Sequence, residues 1–578
     1  MNLDNKVSQL AKRRGFYFQS AEAYGGVAGF QTFGPQGAEL KRNIEESWRD
    51  TFSRGLGHKE IEGPTVRPEP VFKASGHLDG FDDMIIECPE CGTNTRADHL
   101  VEDNTGVEEA EGFSTEHIEG LIKEHGLVCP ECNEHLAGVE VNDFNLMFKT
   151  SIGPGDGTNG YLRPETVQGI FTEFPRLKQY ARNQLPFGVT QIGKAYRNEI
   201  SPRKGLVRTR EFTQAELDLF IDPEEDRPDL TDVKDIELKL YSVEEQKSDE
   251  GEYIVATVEE AIEEEIIGVN WIAYYLGIAK EWYKEIGIDM DRFRFRQHQK
   301  GERAHYASDC WDAEADISGE DEEEEWLEIA GFSYRGCYDL KKHGQHSGNE
   351  REFKIFKEYD EPVVQEETKV DIDMGILGPE YGDEAGEIAE IIEREVRQAP
   401  SVAEDGPIFV HLDGEEHAVD NSAVEVSVEE VKKTGEEITP EVVEPSFGVD
   451  RTVYTVLVHG YNEDVVDNEK RTVLHLSNEV APVEVAVFPL MDKEGLGDRA
   501  RESASELRDS GLNVEYDDSG NIGKRYRRQD EVGTPYCVTV DYETLEDEPE
   551  TVTVRERDST EQERVKINEL EEYLSSKL

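Results

Sequence analysis

The chain has 578 residues, of which 62 are Lys or Arg and 129 Asp or Glu, a formal charge of −67. That length exceeds the roughly 250–300 residues at which one hydrophobic core stops growing, so more than one domain is expected. The 36% hydrophobic content, with Phe 23, Tyr 22 and Trp 5, excludes a disordered polyanion, because the acids interleave with periodic apolar positions instead of gathering in one tail.

Carboxylates spread along the whole length point to an extreme halophile, whose acidic surface stays hydrated. In molar salt the Debye length is about 3 Å and mutual repulsion is screened. Net charge therefore does not veto a polyanionic ligand; local basic groups decide that. The start, "MNLDNKVSQLAKRRGFYFQS", lacks an apolar leader core, and no run approaches the ~18 apolar residues of a membrane span. Seven cysteines form no disulfide framework, so the chain reads as cytoplasmic and reducing.

In chain order, "YGGVAGFQTFGPQGAELKRNIEESWRDTF" predicts a glycine-rich loop followed by a helix. Leu40, Ile44, Trp48 and Phe52 share one face of it, and Gly55 and Gly57 end it. Residues 88–141 read as an insertion around two cysteine pairs. Residues 187–221 alternate like strands, an acidic surface insertion spans about 222–300, and an irregular acidic region spans about 350–440. "EPSFGVDR" opens an apolar helix through Val453, Val456 and Leu457. From residue 481, "VEVAVFPL", "LNVEY" and "YCVTVD" alternate with a helix-like "LGDRARESASELRDS", which predicts a compact α/β domain over 481–578 after a first domain over 1–475.

The stretch Ala195–Phe212, "AYRNEISPRKGLVRTREF", holds four arginines and Lys204 against two acids. Read as strands Phe187–Ile200 and Leu206–Ile221 around "SPRKG", it places Arg197 with Glu199 on one face. Arg208, Arg210, Phe212, Gln214 and Glu216 line up on the other strand, with Leu217 and Leu219 turned away. Arginine forks, an aromatic and an acid suit a ligand with phosphates, a flat base and an ammonium. A solvated, ion-paired edge hairpin is the alternative.

Cys88-Pro-Glu-Cys91 and Cys129-Pro-Glu-Cys132 are two CPEC pairs, able to hold one structural Zn²⁺ in a four-thiolate site or to persist as an empty remnant. Cys310, Cys337 and Cys537 have no partner at ligand spacing and read as buried thiols. "GKRYRRQDEVGTP" carries Lys524, Arg525, Arg527 and Arg528 around Tyr526. It reads either as a nucleic-acid contact or as a helix start paired with Asp530 and Glu531.

"YRNE" with "RTREF" resembles motif 2 of the class II aminoacyl-tRNA synthetases, "SFGVDR" resembles motif 3, and Pro64 in "IEGPTV" matches the proline of motif 1. "GHLDGF", "FNLMF", "LRPETVQGIF", "DCWDAEA", "CYDL", "EPSFGVDR" and "SGNIGKRYRRQDEVGTPYCVTVD" resemble the homodimeric glycyl-tRNA synthetases of archaeal and eukaryotic type. The resemblance implies an α+β fold: a class II antiparallel-sheet catalytic domain with insertions, then an α/β anticodon-binding domain. It also implies ATP and glycine as substrates, Mg²⁺, tRNA(Gly) and a second copy of the chain as partners.

Residue by residue, the resemblance puts Arg197 and Arg451 in catalysis. Arg197 would hold the α-phosphate, Arg208 and Arg451 the β- and γ-phosphates, Phe212 the adenine ring, Glu199 its amino group, and Glu328 Mg²⁺. The rest of the matched ATP segments are Asn198, Val207, Thr209, Arg210, Glu211, Ile329, Gly448, Val449 and Asp450. For glycine it implies Glu165, Glu216 and Glu444 around the ammonium and Ser446 filling the side-chain volume. Arg96, Phe212, Thr213, Gln214, Ala215, Arg335, Pro445, Phe447 and Gly448 complete that set. A pocket excludes larger side chains by clash, so no editing domain is required. Arg203 and Lys204 are expected to meet the tRNA acceptor end. Rival readings are a synthetase for proline, threonine or serine, a non-catalytic tRNA-binding paralogue, or a purely structural acidic protein. The last leaves the ordered motifs unexplained.

Overall fold

The computed structural model describes residues 2–107, 110–155, 157–202, 204–248, 251–299, 309–319, 322–399, 406–412, 415–466, 468–546 and 548–578. Residues 1–353 and 439–578 make one compact unit, and Lys354–Ile438 a second.

Helix α1 (Leu3–Arg14) is capped by the Asn2 side chain and stopped by left-handed Gly15. Helix α2 (Pro35–Trp48) starts on a proline that gives up no needed N–H. Leu40, Ile44, Trp48 and Phe52 are each at most 1% exposed, as their four-residue spacing requires.

A nine-stranded sheet organises the larger unit. In chain order its strands are β1 (Lys59–Glu60), β2 (Phe187–Tyr196), β3 (Glu211–Ile221), β4 (Glu237–Tyr241), β5 (Ile254–Thr257), β6 (Phe293–Gln297), β7 (Asp309–Asp316), β8 (Trp326–Gly336) and β9 (Glu441–Gly448). Across the sheet the order is β5-β4-β6-β7-β8-β9-β3-β2-β1. The pairs are antiparallel, apart from β1 with β2 and β4 with β6.

The sheet has two chemically distinct faces because side chains alternate along each strand. Ala215, Leu217, Leu219, Phe295, Trp311, Phe332 and Phe447 point into the main core. There Phe447 meets Phe52 at 4.6 Å, Trp282 at 5.5 Å and Trp48 at 5.8 Å between ring centres. These rings come from α2 and its continuation and from α4 (Asn270–Glu285); α6 (Val449–Gly460) packs on the same face. The other face carries Phe212, Gln214 and Glu216. Helices α3 (Gln168–Tyr180) and α5 (Tyr338–Ser347) flank it, with Phe174 against Phe220 at 4.9 Å.

The structure departs from the sequence expectations in three places. Residues 222–300 are not a surface insertion: β4, β5 and β6 extend the central sheet, and Leu238, Leu240, Trp282 and Tyr283 are core residues. Their charge misled, since the acids sit mainly in the turns and helices between these strands, which themselves hold one acid, Glu237. The cysteine insertion is wider than 88–141; its three-stranded sheet uses Asp82–Glu87, Asn94–Arg96 and Val141–Asn145 around its own core.

Among the described residues, 350–440 are not irregular. They hold the compact second unit, in which the strands Ile355–Ile372 and Val424–Ile438 pair and Leu377, Ile388, Ile392 and Val410 are buried. The C-terminal domain has its own core within the larger unit. Its strands β10 (Val485–Pro489), β11 (Val514–Tyr516), β12 (Tyr536–Val540), β13 (Thr551–Glu556) and β14 (Gln562–Lys566) run in the order β11-β10-β12-β13-β14. Helices α7 (Leu496–Asp509) and α8 (Ile522–Val532) cover them. Buried arginines fix the junction: Arg557 donates to the Leu476 carbonyl at 2.8 Å, and Arg471 lies 3.7 Å from Asp530.

Candidate active site

A pocket open to solvent lies over β3, β9 and β8 on the ligand face. One end is lined by arginines and one aromatic ring, the other by carboxylates.

At the arginine end, the Arg197 guanidinium sits 5.4 Å from the ring centres of both Phe81 and Phe212. Its Nε donates to the Pro164 carbonyl at 3.3 Å. No protein partner holds its two terminal nitrogens among the described residues, so a fork is clamped in place with its donors free. Arg208 donates through Nε to Glu199 at 2.6 Å and lies 3.5 Å from Asp83. Arg451 holds the Glu328 carboxylate at 3.0 Å and donates to the Val207 carbonyl at 3.1 Å. Two of the three arginines are thus parked on acids while the third is not.

The strand reading of this stretch needs correcting. β2 ends at Tyr196 and β3 begins at Glu211, so Arg208 and Arg210 lie in the loop rather than on a strand face. The ladder parts because its backbone groups bond elsewhere: Asn198 N–H to Leu146 and Arg210 N–H to Gly29. Gly29 has φ +77 and lies under Pro202, where a Cβ would come 2.8 Å from the ring. The Arg210 side chain turns away from the pocket to the carbonyls of Glu199 and Ala28. Lys204 pairs with Glu325, and Arg203 lies outside the described residues.

At the acid end, Glu165, Glu216 and Glu444 converge. Glu165 accepts from Gln168 at 2.9 Å and lies 3.4 Å from the His77 ring. Glu216 accepts from the Thr166 hydroxyl and from Ser446 at 3.0 Å. Glu444 accepts from Arg335 at 2.6 Å, and Arg335 is held in turn by Asp339 at 2.9 Å. Burial pushes the Glu216 carboxyl up to about 7, with Glu165 adding to it. Burial likewise pushes Glu444 up to about 8 against the pull of Arg335, with Glu216 and Glu165 opposing its charge.

Several predicted residues support the pocket without lining it. Arg335 works through Glu444. Arg96 is not in the pocket at all: it is buried one layer behind Arg208, 3.1 Å from Asp83 and bonded to Asp98. Ala215 and Phe447 face the core because strand alternation turns them away. Asn198, Glu211, Pro445 and Val449 are also absent from the lining, whereas Val207, Thr209, Thr213, Gln214, Ile329, Gly448 and Asp450 belong to it. Sequence reasoning assigned no role to Phe81 and His77, although both sit in the quoted "GHLDGF", nor to Thr166 next to "RPE".

A profile described as "tRNA synthetase class II core domain (G, H, P, S and T)" matches residues 148–460, and one described as "Anticodon binding domain" matches residues 484–577. Glycine–tRNA ligase of Methanothrix thermoacetophila is 47% identical over 573 residues, covering 98% of this chain and 96% of that protein. The chain belongs to the glycine–tRNA ligase family. The family's enzymes from Methanocaldococcus jannaschii and Archaeoglobus fulgidus are each 45% identical, covering 99% of this chain and 98% and 97% of their own lengths.

In this member of the glycine–tRNA ligase family the four CPEC thiols converge. Cys88 and Cys132 sulfurs are 3.6 Å apart, and Cys91 and Cys129 3.7 Å. Bonds of about 2.3 Å to a tetrahedral zinc place sulfurs about 3.8 Å apart, so the set fits the ion. Cys310 is not an isolated thiol: it lies 3.1 Å from Ser333 and beside a His298–Asp312 bond of 2.6 Å. Cys337 is only half-buried.

In the anticodon domain the basic island lies on α8 and is largely held by its own acids and carbonyls. Arg525 is buried and donates to the carbonyls of Asp518 at 2.7 Å and Gly520 at 2.9 Å. Arg527 pairs with Asp530 and Arg528 with Asp517, while Glu531 goes to Arg13 and Arg14. Tyr526 packs on Phe488 at 5.5 Å. Lys524 is exposed on the helix's first turn. No described helix is long and apolar enough to cross a membrane.

Proposed function

We propose that the chain is a glycine–tRNA ligase. One observation carries this: a single pocket joins a clamped Arg197 fork with open terminal donors to a closed end of three carboxylates. A glycine carboxylate oxygen attacks the α-phosphorus of ATP, the bond to the β-phosphate breaks and diphosphate leaves. A 3′-terminal ribose hydroxyl of tRNA(Gly) then attacks the glycyl carbonyl and AMP departs.

In this reading Arg197 stabilises the charge that builds on the α-phosphate. Arg208 and Arg451 leave Glu199 and Glu328 to take the β- and γ-phosphates, which frees Glu199 for the adenine amino group and Glu328 for Mg²⁺. Mg²⁺ would supply Lewis-acid neutralisation of the phosphates. Phe212 stacks on adenine, and Glu165, Glu216 and Glu444 take the ammonium. Ser446, tied to Glu216, occupies the volume of a Cβ. We further propose a homodimer, a structural zinc on Cys88, Cys91, Cys129 and Cys132, a halophilic origin, and a division into catalytic (1–475) and anticodon-binding (481–578) parts.

The test is amino-acid-dependent ATP–diphosphate exchange in molar KCl across the twenty amino acids. Exchange with glycine alone is expected. Exchange with proline, threonine or serine instead would sink the assignment, and none with any amino acid would favour a non-catalytic paralogue.

Two further outcomes follow. Glycine's ammonium needs ionised acids, so its KM should fall about tenfold or more as pH rises from about 6 to about 8, through the range where Glu216 and Glu444 lose their protons. A KM flat with pH contradicts the acid-end assignment. Elemental analysis should find one zinc per chain. Cys129→Ser should lose it and open residues 82–145 to limited proteolysis, since structural zinc binding contributes on the order of 10 kcal/mol to such sites. Untreated protein with no zinc would remove the ion from the proposal.

A further inference from the structure

Asp218 lies on β3, two residues beyond Glu216 and therefore on the same face. It is 0% exposed, and neither carboxyl oxygen has a hydrogen-bond partner among the described residues. The register that pairs Glu216 with Ser446 and Leu219 with Val443 sets it opposite Glu444, with Val189 of β2 on its other side. The charged groups that face it are Glu216 on its own strand, Glu444 on β9, Arg335 on β8 and Asp339 on α5.

This neighbourhood has a charge problem. Five carboxyls (Glu165, Glu216, Asp218, Asp339 and Glu444) share the cations Arg335, the buried Arg163 whose charge acts on Glu216 and, when protonated, His77. Four of the five accept hydrogen bonds: Glu165 from Gln168, Glu216 from Thr166 and Ser446, and Glu444 and Asp339 from Arg335. Asp218 accepts none. A buried carboxylate without donors is the costliest of the five to ionise. An unsatisfied acid weakens the fold, so its presence beside the pocket points to a role in binding.

We propose that Asp218 is a positioning residue of the glycine pocket, holding a proton in the free enzyme and giving it up when glycine's ammonium arrives. The inference rests on the glycine reading above. The exchange is balanced: the Asp218 O–H bond breaks, its electron pair stays as carboxylate, the proton passes to solvent, and the ammonium brings in the same positive charge. The net charge of the closed end is unchanged, which spares a dry site the cost of an added ion. Burial, with Glu444 and Glu216 next, holds this carboxyl well above its ordinary range. Such a group weakens the fold progressively as pH rises above the unfolded value of about 4.

The test compares the wild-type chain with D218N, a neutral isostere. D218N is expected to melt at a higher temperature at about pH 8, with the gain vanishing towards about pH 4. It should raise the KM for glycine about tenfold while leaving the KM for ATP unchanged. Calorimetric titration with glycine in buffers of differing ionisation enthalpy, at about pH 8.5, should count about one fewer proton released than in wild type. A residue that only supports the fold would move none of these in this combination. A D218N that fails to fold, melts lower at about pH 8, or releases as many protons as wild type would overturn the inference. Wild-type protein without glycine-dependent exchange would overturn the glycine reading itself, whereas normal exchange with an unchanged glycine KM in D218N would overturn this inference alone.

Discussion

Replacing Arg197 by alanine lowers glycine-dependent ATP–diphosphate exchange by about a thousandfold, in the range seen when one donor to a developing anionic charge is removed. The size of the effect follows from how the side chain is held. Phe81 and Phe212 brace the guanidinium from two sides and Pro164 fixes its Nε, so the two terminal nitrogens need no reorganisation when charge builds on the α-phosphate. Arg208 and Arg451, by contrast, must first leave Glu199 and Glu328, so alanine at either is expected to act mainly on the KM for ATP. The measurement is steady-state exchange together with tRNA binding by filter retention. Binding should be unchanged, because Arg197 lies inside the pocket. An Arg197→Ala protein that exchanges normally would remove this residue from the chemistry.

Glu216→Gln raises the KM for glycine about a hundredfold and leaves the KM for ATP as it was. Losing one partner of a buried ionic pair costs roughly 2–5 kcal/mol, and the Gln amide keeps the volume while removing the charge. The variant is not expected to destabilise the fold. Burial has already pushed the Glu216 carboxyl up to about 7, so the native protein gives up stability as pH rises towards that value, and the amide escapes this loss. Melting at about pH 8 should be unchanged or higher. If kcat falls with KM constant, Glu216 acts in the transition state and not on the ammonium.

The ligand face was legible in sequence where strand alternation holds. Phe212, Gln214 and Glu216 fall on one face because they are two apart on a continuous strand. Alternation failed at Arg208 and Arg210, where the backbone leaves the ladder: Arg210 N–H bonds Gly29, and Asn198 across from it bonds Leu146, segments distant in sequence. Local charge was the poorest guide. The acids of residues 222–300 concealed three strands of the central sheet, and the arginines of the C-terminal island turned out to be bound by Asp517, Asp530 and backbone carbonyls.

By itself the sequence determined the class of the protein, its core helices and the residue types at each end of the pocket, since period, spacing and ordered motifs are local properties. Only the tertiary structure decided which charges are free. That Arg197 keeps its donors open while Arg208 and Arg451 are paired, that His77 reaches Glu165, and that Asp218 alone among five acids has no donor among the described residues, all depend on side chains brought together from different strands and helices. In a desolvated site a hydrogen bond or its absence sets the charge a group carries, and no spacing along the chain records it.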